Sequence, residues 1–170
     1  MDKSSLLVPI IRMISEYQSP GKKALQKLVD LIEQKGLDLR FNYSIHYYGP
    51  YSSELDYAVH SLEMQGLIDI RAEGMSHKIY LTGLEEESIT LLPEDEKIIH
   101  EVLKIFASMP AHELELITTT DFVARELCRC GKPCTDQELV EGVKVIKGEK
   151  FSSEKIFEAI SLLRGNGYRW

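Results

Sequence analysis

Long apolar runs are missing from these 170 residues. No stretch approaches the roughly 20 apolar residues that a membrane-spanning helix needs. The first apolar run, Leu6 to Ile14, is interrupted by Pro9 and Arg12, and it lacks the basic start and small-residue cleavage site of a secretory signal. A cytoplasmic protein with no membrane contact is the expectation. Positive charge is also short. The chain holds 20 Lys and Arg against 27 Asp and Glu, a formal charge of -7. Such a surface repels phosphate backbones at long range, so non-specific nucleic-acid binding would need a concentrated basic patch. Residues 1–92 carry 9 basic and 13 acidic side chains and residues 93–170 carry 11 and 14, so neither half is a hidden basic domain.

Cysteine is scarce and odd in number. Cys128, Cys130 and Cys134 form one cluster, which leaves no complete disulfide framework and suits a reducing compartment. Tetrahedral zinc wants four ligands; only three thiols are present, without paired Cys-x-x-Cys spacing, and His112 lies well upstream as a fourth. Arg129 and Lys132 could lower a thiol pKa and favour redox chemistry. The simpler expectation is that Cys128 faces the helix interior while Gly131-Lys132-Pro133 turns the chain. There is no phosphate-binding Gly-rich loop, no His-Glu-x-x-His and no Gly-x-Ser-x-Gly. Glu113 and Glu115 are two apart and do not share a helix face. A general base at His46 or His60 would need an acid or nucleophile that no motif supplies. No enzyme activity, cofactor or metal is expected.

The pattern that is present is mainly helical with a small β-hairpin. Leu6, Leu7, Ile10, Ile11 and Ile14 recur at helical spacing and predict a helix from about Ser4 to Tyr17. After the break at Ser19-Pro20-Gly21, Lys22 to Gln34 reads as amphipathic. Leu25, Leu28, Val29 and Ile32 share a face, with Lys22, Lys23, Lys27, Asp30 and Glu33 elsewhere and Gly36 as the stop. Leu37 to Tyr48 alternates with period two and predicts an extended segment ending at Gly49-Pro50. Ser52 or Ser53 caps a third helix bearing Leu55, Ala58, Val59 and Leu62, stopped by Gly66. Leu67–Arg71 and His77–Leu81 flank a Gly74 turn and predict a hairpin. Thr82 is expected to cap a short helix, and Glu85-Glu86-Glu87 to be a solvated face of it. Three helices and a hairpin amount to a winged-helix-like domain over residues 1–92.

Pro93 opens the second part, a helical subdomain over 93–170, with a second degenerate winged helix as an alternative. Ile98 to Phe106 marks one helix, ending near Met109-Pro110. Ala111 to Ile117 is expected to be a short separate piece, and Thr118-Thr119-Thr120 to cap the next helix toward Cys128. Glu138 to Ile146 marks a further helix, and Ser152 or Ser153 caps the last. Tyr168-Arg169-Trp170 could start a short strand or dock on the body as a tail; docking is the expectation, because indole rarely sits idle in water.

The stretches Lys22–Gly36, His46–Asp69 and His77–Glu85 resemble the YwgA-like group of small proteins and, more distantly, the antitoxin-related SocA and Panacea proteins. The Tyr48-Gly49-Pro50-Tyr51-Ser52 turn is the most specific part, and the match covers about half the chain. The resemblance implies a winged-helix-like module engaged in regulation through protein partners. Fold alone does not assign function.

Two functions follow as expectations. The first is a non-catalytic, antitoxin-like protein-interaction module whose partner groove is lined by Tyr47, Tyr48, Tyr51 and His60, aromatic residues suited to an interface. The second is a DNA-binding regulator using a basic face of Lys22, Lys23, Lys27, Arg71 and Lys78. Against DNA, the outward positions of the third helix carry Glu54, Asp56, His60 and Glu63, with no Lys or Arg between Tyr51 and Gln65. A homodimer is a further expectation, by analogy with winged-helix regulators that pair extra helices.

Overall fold

Eight consecutive residues of one helix, Leu25 to Ile32, are all buried, and so are eight of another, Leu114 to Asp121. Two helices buried on every side make the centre of this protein, and the remaining elements cover them. The computed structural model describes residues 3–84 and 89–170. Among these are seven helices: α1 (Lys3–Ser15), α2 (Lys22–Lys35), α3 (Ser53–Met64), α4 (Pro93–Phe106), α5 (Ala111–Arg129), α6 (Asp136–Lys147) and α7 (Ser153–Gly165). Two antiparallel hairpins join them: β1 (Ser44–His46) with β2 (Gly49–Tyr51), and β3 (Ile68–Glu73) with β4 (Ser76–Leu81). No helix among the described residues is long and apolar enough to cross a membrane.

Helix α2 touches α4, α5, β2 and β4; α5 touches α2, α6, α7 and β2; α1 packs on α3 and α4. Residues on both sides of Leu92 belong to one continuous core, from Leu7 and Leu28 through Phe106 and Leu114 to Ile160 and Tyr168. Residues 93–170 add four helices and, among the described residues, no strand.

Most helix ends follow their sequence signals. Gly36 ends α2 with φ of +131°, a backbone conformation that side chains other than glycine rarely adopt. The hydroxyls of Ser52, Thr135 and Ser152 accept the third following amide at the starts of α3, α6 and α7. Pro93 stands first in α4, ahead of Glu94, Asp95 and Glu96, which suit the positive end of the helix dipole.

Five expectations are corrected. Residues 111–129 form one helix, and Thr118, Thr119 and Thr120 lie buried within it rather than capping it. Thr118 and Thr120 donate to the carbonyls of Leu114 and Leu116 at 2.7 Å, which satisfies hydroxyls that would otherwise break a helix. Lys27 and Asp30, expected away from the apolar face of α2, are both buried, so Lys27 is not part of an exposed basic face. The alternation from Leu37 onward describes burial correctly: Leu37, Leu39 and Phe41 are in and Asp38, Arg40 and Asn42 are out. Yet only Ser44–His46 is a strand, because residues 37–43 have no neighbouring strand to pair with. Cys128 and Cys130 are exposed, and it is Cys134 that packs against the core. Thr82 to Leu84 are not helical, and the Glu85–Glu87 run lies outside the described residues.

The carboxy-terminal residues dock as the indole suggests. Tyr168 is buried and donates to the Leu31 carbonyl at 3.0 Å, and the Trp170 ring nitrogen donates to Asp121 at 2.9 Å. Asp121 belongs to a buried charge cluster in the α2–α5 seam. Arg125 reaches both oxygens of Asp30 at 3.1 Å and lies 2.9 Å from Asp121. One guanidinium serves two carboxylates in a desolvated place. Burial pushes the Asp30 carboxyl from 3.8 up to about 7; Arg125 opposes that and the neighbouring Asp121 adds to it. Between these values the folded chain keeps a proton that the unfolded carboxyl has lost, so stability falls as pH rises from 3.8 to about 7. Asp30→Asn, which mimics the protonated form, is expected to flatten that fall. Urea midpoints across the window for both proteins check it; an unchanged slope would place the protonation elsewhere.

Candidate functional site

A groove of about 910 Å³ opens where four segments meet: the start of α2, the β1–β2 turn, the tip of the β3–β4 hairpin and the α4–α5 junction. Its size falls within the range of natural ligand pockets. Backbone pairing sets two of its walls against each other. The Ile79 amide donates to the Pro20 carbonyl at 2.9 Å and Gly21 bridges to Lys78, which ties β4 to the first turn of α2. Gln18 donates to the Ala107 carbonyl at 2.6 Å and holds the α1–α2 connection to the end of α4.

The aromatic turn makes the third wall. Tyr47 and Tyr48 are the two loop residues between paired His46 and Gly49. Their rings meet edge to face at 4.8 Å, and they are 80% and 47% exposed, a large apolar area left open to solvent. The turn is pinned from behind. Gln26 donates to the Ser52 carbonyl and accepts from the Ser52 amide, both at 2.9 Å, so one buried amide side chain stands in for a strand neighbour. Lys147 donates to the Tyr47 carbonyl at 2.6 Å. Gly49 sits against α5 with φ of +106°, and a Cβ there would lie 3.3 Å from the Thr119 hydroxyl.

Four lysines line the groove, Lys22, Lys23, Lys27 and Lys78, with two carboxylates, Asp56 and Glu73. In a chain of charge -7 this is an island of the opposite sign. The lysines differ in what holds them. Lys22 bonds Asp56 and the His60 ring at 3.0 Å. Lys23 lies over the Tyr48 ring at 3.5 Å from its centroid. Lys27 is 4% exposed, and its ammonium has one long hydrogen bond among the described residues, 3.4 Å to the Lys23 carbonyl a turn back in the same helix. Desolvation lowers its pKa from 10.5 to about 8; the Glu115 carboxylate pulls it up, and the charges of Lys147 and Lys23 push it down. Glu115 is occupied elsewhere, by Lys147 at 2.7 Å and by Lys150 at 2.9 Å. Its own burial pushes the carboxyl up, but the hydrogen bonds and charges of the two lysines outweigh that and leave it below the ordinary value.

The sequence-derived sets are partly brought together. Tyr47, Tyr48 and Tyr51 line the groove, and His60 does not; it stands exposed on α3 between Lys22 and Glu63. Lys22, Lys23, Lys27 and Lys78 converge. Arg71 is outside the lining, paired with Asp69 at 2.7 Å and set against the Tyr80 ring at 4.6 Å. The α4–α5 wall, Ser108 to Leu114, carried no signal in the sequence, and neither did Met75 and His77 at the hairpin tip. Among the described residues no cluster of three or more His, Cys, Asp or Glu side chains could hold a metal ion. His46 tilts against the Tyr51 ring at 4.7 Å.

Two outcomes are expected. Gly49→Ala forces an alanine into a left-handed conformation against Thr119 and is expected to cost about 1–3 kcal/mol in urea unfolding. A neutral result would mean that the turn does not press on α5. Lys27→Met removes a buried charge and is expected to stabilise the chain by roughly 1–3 kcal/mol near neutral pH. From pH 8 to 10.5 the folded amine is neutral while the unfolded one still holds its proton, so wild-type stability rises there. The advantage of the methionine should therefore fade across that window, and a constant difference would contradict the lowered pKa. The chain matches no family model, and no curated protein matches it.

Proposed function

We propose that this protein is a non-catalytic regulatory module that binds a protein partner in the groove beside the Tyr47–Tyr48 turn. The observation that carries the reading is the pair of exposed tyrosines held rigidly by Gln26, Lys147 and Gly49 at the rim of a 910 Å³ groove. Aromatic side chains with few rotatable bonds lose little entropy on binding and dominate interface energetics when water is excluded around them. The likeness of the Tyr48–Ser52 turn to antitoxin-related winged-helix-like proteins supports the same direction. In this reading residues 1–92 supply a winged-helix-like scaffold and residues 93–170 hold its turn in place.

A second reading, a DNA-binding regulator, draws on the convergence of Lys22, Lys23 and Lys78 on one wall. Its electrostatics are weaker. Lys22 is neutralised by Asp56, Lys27 is buried and Arg71 is paired with Asp69. Few cations are left to displace counterions.

A photo-crosslinking amino acid placed in turn at Tyr47, Tyr48 and Tyr57 tests the reading in the native cell. Tyr57 is 78% exposed on α3 and does not line the groove, so it serves as the control. One defined protein adduct at Tyr47 and Tyr48 but not at Tyr57 is expected. The purified partner should bind saturably and lose about tenfold in affinity with Tyr48→Ala. Equal labelling at all three positions would overturn the partner reading. Salt-sensitive binding that prefers the gene's own upstream duplex over random duplex would favour DNA.

A further inference from the structure

The cations beneath the aromatic turn outnumber their partners. Lys27, Lys147 and Lys150 gather around the single carboxylate of Glu115, whose two oxygens are already taken by Lys147 and Lys150. Lys27 has no carboxylate within ion-pair distance among the described residues, although its side chain is almost wholly buried and lines the groove. A buried charge without a counterion is costly, and folded chains normally pair it.

A second feature of the same place is independent of Lys27. Helix α2 is preceded at its N-cap position by Gly21, which has no side chain to cap the free amides of the first turn, and that turn contains no acid. It contains Lys22, which Asp56 already pairs, and Lys23, which lies over the Tyr48 ring and has no carboxylate within ion-pair distance among the described residues; a cation at the positive end of the helix dipole is disfavoured unless an anion joins it. Lys27, Lys23 and the other residues at the start of α2, Gly21, Lys22 and Ala24, all line the groove. Helix starts of this kind receive carboxylates and phosphates through their amides.

We propose that the inner end of the groove is an anion site in which Lys27, Lys23 and the first turn of α2 take a carboxylate of the protein partner, from an acidic side chain or a chain terminus. The inference rests on the partner reading above and adds the chemistry of recognition. The tyrosines supply apolar contact at the rim, and the carboxylate supplies register at the inner end. A carboxylate is favoured over phosphate because the lining contains no arginine, whose planar fork suits phosphate oxygens, and because Asp56 and Glu73 stand on the same lining and oppose a dianion.

The test is an NMR titration of the full chain near neutral pH, at constant ionic strength, with acetate, a short glutamate peptide and inorganic phosphate in parallel. Acetate and the peptide are expected to give saturable shifts at the amides of Gly21, Lys22, Lys23 and Ala24. They should also raise the pKa of the Lys27 ammonium. Lys27→Met should weaken peptide binding about tenfold or more, while Lys27→Arg keeps most of it. Lys132→Met, an exposed change on the α5–α6 connection, should leave it unaltered. Should Lys27→Met fail to fold, the wild-type titration and the arginine variant still decide.

The absence of any shift at α2 would overturn the proposal. So would equal affinity in Lys27→Met, or saturation by phosphate with neither carboxylate probe. A crosslinked partner that binds Lys27→Met as well as wild type would sink the carboxylate site and leave the partner reading standing. Anion binding with no partner adduct at Tyr47 or Tyr48 would do the reverse.

Discussion

Charges carried into the seam between α2 and α5 constrain the rest of this fold. Both helices are buried on all sides over two turns, and both put ionisable groups there: Lys27 and Asp30 on one, Glu115 and Asp121 on the other. Apolar packing cannot satisfy them. The chain instead brings in Arg125 from the next turn of α5, Lys147 from α6, Lys150 from the connection to α7, and the indole of Trp170 from the carboxy-terminal residues. Helix α6 and the docked tail are thus tied to the seam by polar contacts as well as by apolar packing. Removing one member of such a set leaves another buried charge unmatched, which costs far more than an exposed pair contributes.

The same seam explains why the aromatic turn is rigid. Gly49 packs on α5 beside Thr118 and Thr119, and the lysine that neutralises Glu115 also holds the Tyr47 carbonyl. Tyr47 and Tyr48 thus stand on the partner helix of the seam, although they come from the opposite half of the sequence. A turn of two tyrosines on an isolated hairpin of three-residue strands would be mobile in water. Here its geometry is fixed before anything binds, so less entropy is lost when a partner arrives.

Much of the local architecture was legible from residues alone. Glycines, prolines and hydroxyl caps marked the ends of α2, α3, α4 and α7, and two short runs flanking the Gly74 turn marked the β3–β4 hairpin. Burial of polar residues was not legible. Lys27, Asp30, Glu115 and Asp121 have the same letters as solvated residues, and only tertiary neighbours reveal that they are interior. Thr118-Thr119-Thr120 failed for a related reason. A hydroxyl run is a helix start in water, but inside a protein it bonds to the preceding turn and continues the helix. The groove was half legible. Its tyrosines and lysines were identifiable by type, whereas the α4–α5 wall consists of ordinary residues that acquire meaning only through where the chain folds them.

The two ends of the seam are built alike and finished differently. At the Asp30 end an excess of negative charge is closed internally, by Arg125, by the indole hydrogen bond to Asp121 and by a carboxyl whose pKa has moved up to hold a proton. At the Lys27 end an excess of positive charge is not closed by any carboxylate within ion-pair distance of Lys27 among the described residues; it opens into a groove instead. A methionine would fill the volume of Lys27 without the desolvation cost, so packing gives no reason for the lysine. Charge retained at a cost in stability is a common property of binding sites, because the penalty is relieved only when the complementary ligand arrives. On the reading proposed above, that relief adds to affinity: an incoming carboxylate would gain its own contacts and also remove a penalty that the free protein carries.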